Sequence, residues 1–212
     1  MAHKSGEFSG ESQKVTRAAV LIFIGNIISR ALGLIRDMAK SYFFGAGGAV
    51  SAFDVAAQVP TMFYDQFVGG LLNSALVPVF SDYAHDKDRA ELWRVLSAVF
   101  SLITIVLGVL VLFVEGAAPW IAHILGKGLD PHYLNLAAAM IRITAPAVLF
   151  LNLAGLLSSV LYALQRFSLP AFTAAVFNAT VVLIIFVGHR TLGARALAVG
   201  WLCASIAQVL FQ

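Results

Sequence analysis

Charge is scarce in this 212-residue chain, with Asp, Glu, Lys and Arg together making up 12% of it. Soluble domains carry about twice that share, so the deficit excludes an ordinary water-soluble fold. Cysteine is nearly absent, and the lone Cys203 excludes both an internal disulfide and a multi-cysteine metal site. His123 and His132 have no evident co-ligands, so no metal is expected. The net charge of +3 contains no basic run, which excludes a nucleic-acid partner. No histidine stands near a serine or cysteine in a pocket pattern. Paired carboxylates at helical spacing within one span are missing, as is a glycine loop ahead of a basic helix. No enzyme class and no cofactor is therefore expected. The polar start over residues 1–17 lacks a small-residue cleavage pattern, so the first helix is expected to act as the insertion signal.

Apolar sequence is what the chain has in quantity. Hydrophobic residues make up 60%, the mean hydropathy is +0.87, and several uncharged windows reach the roughly 20 residues that cross a hydrocarbon core. The reading is an all-α polytopic membrane protein of six transmembrane helices. Residues 1–14 form a polar tail, expected to be cytoplasmic and mobile over 1–12, and 15–212 form the helical bundle. The first helix spans 15–44 and stops at Gly45-Ala46-Gly47-Gly48. The second covers 50–83, about 50 Å of helix, with bends expected at Pro60, Gly69-Gly70 and Pro78. A charged loop over 84–94 leads to a third helix at 95–114. A loop over 115–133 precedes a fourth at 134–164, which carries Arg142 and Pro146. After a short connection at 165–168 the fifth runs to about 187. A basic loop at 189–195 precedes the sixth, which continues to Gln212, so the chain is expected to be the front part of something longer. Lys and Arg near the span ends place the N-terminus in the cytoplasm: Lys4, Lys14, Arg17, Lys87, Arg89, Arg94 and Arg166 on one side, Lys127, Arg190 and Arg195 on the other. Trp93, Trp120 and Trp201 lie near predicted span ends, consistent with interface anchoring.

The stretch 26–40, N-I-I-S-R-A-L-G-L-I-R-D-M-A-K, puts charge inside the first apolar helix. At helical pitch Asn26, Arg30, Gly33, Asp37 and Lys40 fall within about 80° of one another, and Ser29 and Arg36 widen the sector. A charged stripe at membrane depth must face protein, water or a polar ligand. Arg30 and Arg36 are about 9 Å apart along the axis, a spacing that suits an extended anionic headgroup, with Asp37 placed to neutralise Arg30. The two arginines serve either as ligand contacts or as structural partners of Asp37, Asp54 or Asp65. Asp54 and Asp65 read as internal counter-ions. Arg142 either faces the same cavity or snorkels to an interface. Gly25, Ser29 and Gly33 repeat at the small-residue spacing that lets helices approach closely. Pro60, Pro146 and Gly69-Gly70 are hinge candidates or static kinks.

The strings I-S-R-A-L-G-L-I-R-D at 28–37, F-G-A-G at 44–47, Val59-Pro60, the segments at 75–78 and 81–83, and Q-R-F-S-L-P-A-F at 165–172 with Asn178 resemble the MurJ/MviN lipid II flippases. The resemblance covers nearly the whole chain in order. It implies one bundle of a two-bundle transporter of the multidrug/oligosaccharidyl-lipid/polysaccharide exporter superfamily, in the bacterial cytoplasmic membrane. The implied activity is translocation of the undecaprenyl-pyrophosphate-linked peptidoglycan precursor, with Arg30 and Arg36 lining the cavity. The implied partners are a lipid-linked anionic substrate, membrane lipids, a C-terminal bundle and cell-wall synthesis proteins. Departures from the family pattern are Ser51 at an acidic position, Tyr64-Asp65 at a basic pair, and Gly69-Gly70 at a Glu-Gly. They leave open two alternatives: a non-transporting scaffold or regulator, and an exporter of another lipid-linked polysaccharide.

Overall fold

A computed structural model describes residues 2–72 and 89–212, with side chains described at 16, 19–68 and 93–212. Among the described residues there are six α-helices and no strand. These are α1 (Ala2–Phe44), α2 (Gly48–Tyr64), α3 (Arg89–Leu125), α4 (Pro131–Ala163), α5 (Ser168–Leu192) and α6 (Arg195–Phe211). A π-helical segment, Asp65–Leu72, continues α2. The expected bend at Pro78, the helix end at 83 and most of the loop over 84–94 lie outside the described residues.

Three boundaries differ from the sequence reading, each for a physical reason. The first helix starts at Ala2 rather than at 15, because adding polar turns to an existing helix needs no new nucleus. The third runs on through Glu115, Gly116 and Pro119 to Leu125, where a loop was expected. Ala118 and Ala122, four residues apart, are buried against the bundle and hold those turns in place. The fifth extends to Leu192, with Arg190 in its last turn, where a cation complements the helix dipole. Only Gly193 and Ala194 then separate it from α6. Among the described residues, four helical stretches are long and apolar enough to cross a membrane: Ala19–Phe44, Trp93–Leu125, Pro131–Ala163 and Ser168–Leu192. The other two, α2 and α6, have 17 residues each, about 25 Å of helix.

Side-chain registers fix the packing. Gly25 lies against Ala171 and Gly33 against Asn178, while Phe43 meets Phe186 and His189, so α1 runs parallel to α5. Gly48 faces Tyr133, Ala56 faces Thr144 and Val68 faces Gly155, so α2 runs parallel to α4. Glu115 with Arg142 and Leu96 with Leu156 set α3 antiparallel to α4. The hub is α4, with 56% of its most apolar stretch buried, against 6% for α1 and 11% for α3. Its buried face carries Ala137, Ala138, Ala145, Ala147 and Ala154, small side chains that let neighbouring backbones approach. By contrast α3 exposes Leu102, Ile105, Val109, Leu112 and Phe113, an apolar face suited to hydrocarbon.

Sequence neighbours α1 and α2 therefore sit on different supports, α1 on α5 and α2 on α4, and are joined at a tight turn. Gly45 adopts φ +70°, and its N–H donates to the Ser41 carbonyl at 2.9 Å, a left-handed helix stop that glycine supplies without strain. A β-carbon on Gly48 would run into the Tyr133 ring. From this turn α1 and α2 diverge and leave a wedge between them.

Candidate functional site

The wedge is a cavity of about 440 Å³. One wall is the C-terminal half of α1, with Arg36, Asp37 and Lys40; the other is α2, with Phe53, Asp54, Gln58 and Thr61, continued by Asp65 at the start of the π-helical segment. Val181 of α5 and Leu197 and Trp201 of α6 form its floor. The charges lie on the facing walls of a container whose floor is apolar.

Arg36 is held from three directions. Its Nε donates to Asp37 Oδ1 at 3.0 Å, Nη2 lies 3.0 Å from the same oxygen, and Nη1 donates to Asn178 Oδ1 at 3.0 Å. The guanidinium carbon stands 5.7 Å from the centroid of the Trp201 ring, within cation–π range. Asn178 is fixed in turn, because its Nδ2 donates to the Ser29 carbonyl at 3.1 Å. One buried amide thus ties α5 to the α1 backbone and to the Arg36 head. The cavity's other cation is Lys40, whose Nζ lies 3.0 Å from Asp54 Oδ1 across the wedge and 6.0 Å from the Phe53 ring centroid.

The structure gathers Arg36, Asp37, Asp54 and Asp65 around one cavity and leaves other predicted residues outside it. Arg30 and Asn26 are exposed on α1, and Arg30 makes no ion pair with any described residue. Asp37 pairs with Arg36, not with Arg30. Ser29 engages Asn178 through its carbonyl. Arg142 does not line the cavity; its Nε points to the Glu115 carbonyl at 3.4 Å. Gly25 is buried against the Ala171 backbone, and Gly33 lies beside the Asn178 amide. Pro60 is buried inside α2, Gly69 and Gly70 sit in the π-helical segment, and Pro146 is inside α4. Trp201 lines the cavity, and its ring meets Phe53 at 5.7 Å and Phe177 at 4.9 Å. Lys40, Asn178 and Trp201 are the members that sequence reasoning missed. The signal for Lys40 was its place in the polar stripe, and for Asn178 its amide at membrane depth.

Two carbonyls freed by proline are taken up by α4. Pro60 has no N–H to offer the Ala56 carbonyl four residues back, and Thr144 Oγ1 lies 3.1 Å from that oxygen and 3.2 Å from the Ile141 carbonyl. Pro119 likewise frees Glu115, whose carbonyl is the one that Arg142 approaches. Neighbouring side chains that satisfy such groups are what make proline tolerable in a membrane helix.

The family model described as Lipid II flippase MurJ matches residues 40–212. The probable lipid II flippase MurJ of Buchnera aphidicola subsp. Baizongia pistaciae is 28% identical over 202 residues, covering 93% of this chain and 39% of that protein. The lipid II flippase MurJ of Burkholderia cenocepacia is 28% identical over 200 residues, covering 92% and 39%. A solved structure, lipid II flippase MurJ in an inward closed conformation, superposes with a TM-score of 0.78 at 27% identity, over 90% of this chain and 40% of that one. The chain thus spans about two-fifths of the length of the relatives it matches. With the family model matched over residues 40–212 and a solved relative superposing over 90% of the chain, the chain belongs to the MurJ lipid II flippase family.

Proposed function

We propose that this chain supplies the first bundle of a flippase for the undecaprenyl-pyrophosphate-linked peptidoglycan precursor, acting across the bacterial cytoplasmic membrane with its N-terminus in the cytoplasm. The observation that carries the reading is Arg36, a guanidinium held on the wall of an otherwise sparsely charged bundle. Its planar fork matches the paired oxygens of a diphosphate, and Asp37 neutralises it while the cavity is empty. Arg30, about 9 Å back along α1, meets the same headgroup outside the cavity, with Asn26 beside it, and Ser29 contributes through Asn178. The role is transport, with no covalent step. Alternating access uses the discontinuities of the helices, Pro60 and the Gly69-Gly70 segment after α2 and Pro146 in α4, as rocking points. A second bundle, belonging to the rest of the protein, closes the cavity from the exposed side of α1. Membrane lipids surround the assembly, and cell-wall synthesis proteins are its neighbours.

One observation favours a second reading. The cavity sets three carboxylates, Asp37, Asp54 and Asp65, against two cations, a weaker attraction for anions that fits an exporter of another lipid-linked polysaccharide. The test is expression of the full native reading frame in cells depleted of their lipid II flippase. Restored growth with precursor in the outer leaflet is the expected result. Failure despite normal membrane insertion contradicts the proposal and favours the second reading.

A further inference from the structure

We infer that Lys40 is a second, displaceable anion contact in the cavity, reserved by Asp54, and that it makes the site selective for a lipid-linked diphosphate over a monophosphate. The inference rests on the anion-binding reading of the cavity given above. It starts from which cations the cavity holds. Arg36 and Lys40 line it, whereas Arg30 does not. They are four residues apart on α1, so their side chains leave the same helix face about 6 Å apart. That spacing gives each cation one phosphate of a linked pair.

Each cation is matched to its own carboxylate, Arg36 to Asp37 and Lys40 to Asp54, both at 3.0 Å. In both pairs the cation is the buried member: Arg36 and Lys40 are 25% and 23% exposed, and both carboxylates are 55% exposed. An ion pair whose acid is largely hydrated holds weakly, and water already competes for the acid's oxygens. A lipid-linked diphosphate carries about one charge on each phosphate, as a carboxylate does, but its two phosphates are joined and meet both cations at once, so it replaces the two separate carboxylates, which turn outward into water. The two pairs differ in one respect. Asp37 sits on α1 beside Arg36, but Asp54 reaches Lys40 from the opposite wall. Displacing Asp54 therefore also unfastens α1 from α2 and couples occupancy of the second phosphate position to opening of the wedge.

The experiment measures binding of undecaprenyl diphosphate, undecaprenyl monophosphate and inorganic pyrophosphate to the purified full native protein in detergent. Lys40→Ala should weaken the diphosphate lipid about tenfold and change the monophosphate by less than about twofold, while Lys40→Arg retains diphosphate binding. Asp54→Asn should tighten the diphosphate lipid about threefold, because Lys40 loses its competitor. A merely structural strap predicts the opposite for Asp54→Asn, so parallel losses in Lys40→Ala and Asp54→Asn overturn the inference. Unchanged diphosphate binding in Lys40→Ala, with loss in Arg36→Ala, overturns the role of Lys40 and leaves the Arg36 site standing. Inorganic pyrophosphate binding as tightly as the lipid overturns the lipid-linked assignment. No binding by the unaltered protein overturns the anion site altogether.

Discussion

At the scale of single residues, the site depends on groups that hold other groups. Arg36 would sweep a wide volume on its long stem, but Asn178, Asp37 and Trp201 confine its head to one wall of the cavity. Asn178 reaches both the guanidinium and the Ser29 carbonyl because α1 lies close to α5, and two glycines permit that approach to different degrees. At Gly25 a β-carbon would collide with the Ala171 backbone, which cannot move aside as a side-chain tip can. At Gly33 it would sit 3.5 Å from Asn178 Nδ2, an ordinary contact. Gly25→Val should accordingly destabilise the protein by about 2 kcal/mol, and Gly33→Ala should change it by less than about 0.5 kcal/mol. Thermal unfolding of the purified full-length protein checks both, and equal effects would contradict the register described for α1 on α5. The i+4 repeat of Gly25, Ser29 and Gly33 was legible in the sequence. The difference between the two glycines was not, because it depends on which atoms of α5 stand opposite.

At the scale of elements, α4 serves the proline-bearing helices on either side of it. Thr144 answers the carbonyl that Pro60 frees in α2, and Arg142 approaches the one that Pro119 frees in α3. The first of these can be measured as a coupling. Thr144→Val leaves the Ala56 carbonyl short of a donor and should lower stability by about 1 kcal/mol. In a Pro60→Ala background the new N–H reclaims that carbonyl, so the same substitution should lose at least half its effect. An equal loss in both backgrounds, read by chemical denaturation, would contradict the proposed division of labour. Elements were the most legible level of the sequence, since composition and apolar length pointed to helices at the right places. The misjudged stretch, 115–133, shows the limit. Glu115, Gly116 and Pro119 read as breakers one by one, whereas Ala118 and Ala122 are fixed by packing that local sequence cannot display. Arg142 was open between cavity and interface for the same reason, since it approaches a carbonyl that a proline frees in a different helix.

At the scale of the whole molecule, the packing places α1 and α2, whose polar faces line the cavity, on separate supports and joins them at one glycine turn, so that a wedge opens between them. The polar stripe on α1 signalled a site from sequence alone. Arg30 and Arg36 stand at opposite edges of that stripe, about 120° apart; that the Arg36 edge faces the wedge depends on how α1 seats on α5, which periodicity does not encode. The outer face of α1, with Phe23, Ile27, Leu34 and Met38, is exposed, an apolar surface suited to hydrocarbon. The proposed contact of Arg36 with the anionic headgroup during translocation is read from the rate at which precursor reaches the outer leaflet in flippase-depleted cells that express the full native chain carrying Arg36→Glu. The expected rate is no higher than in the depleted cells alone, with normal insertion of the variant in the membrane. Export at the unaltered protein's rate would contradict it.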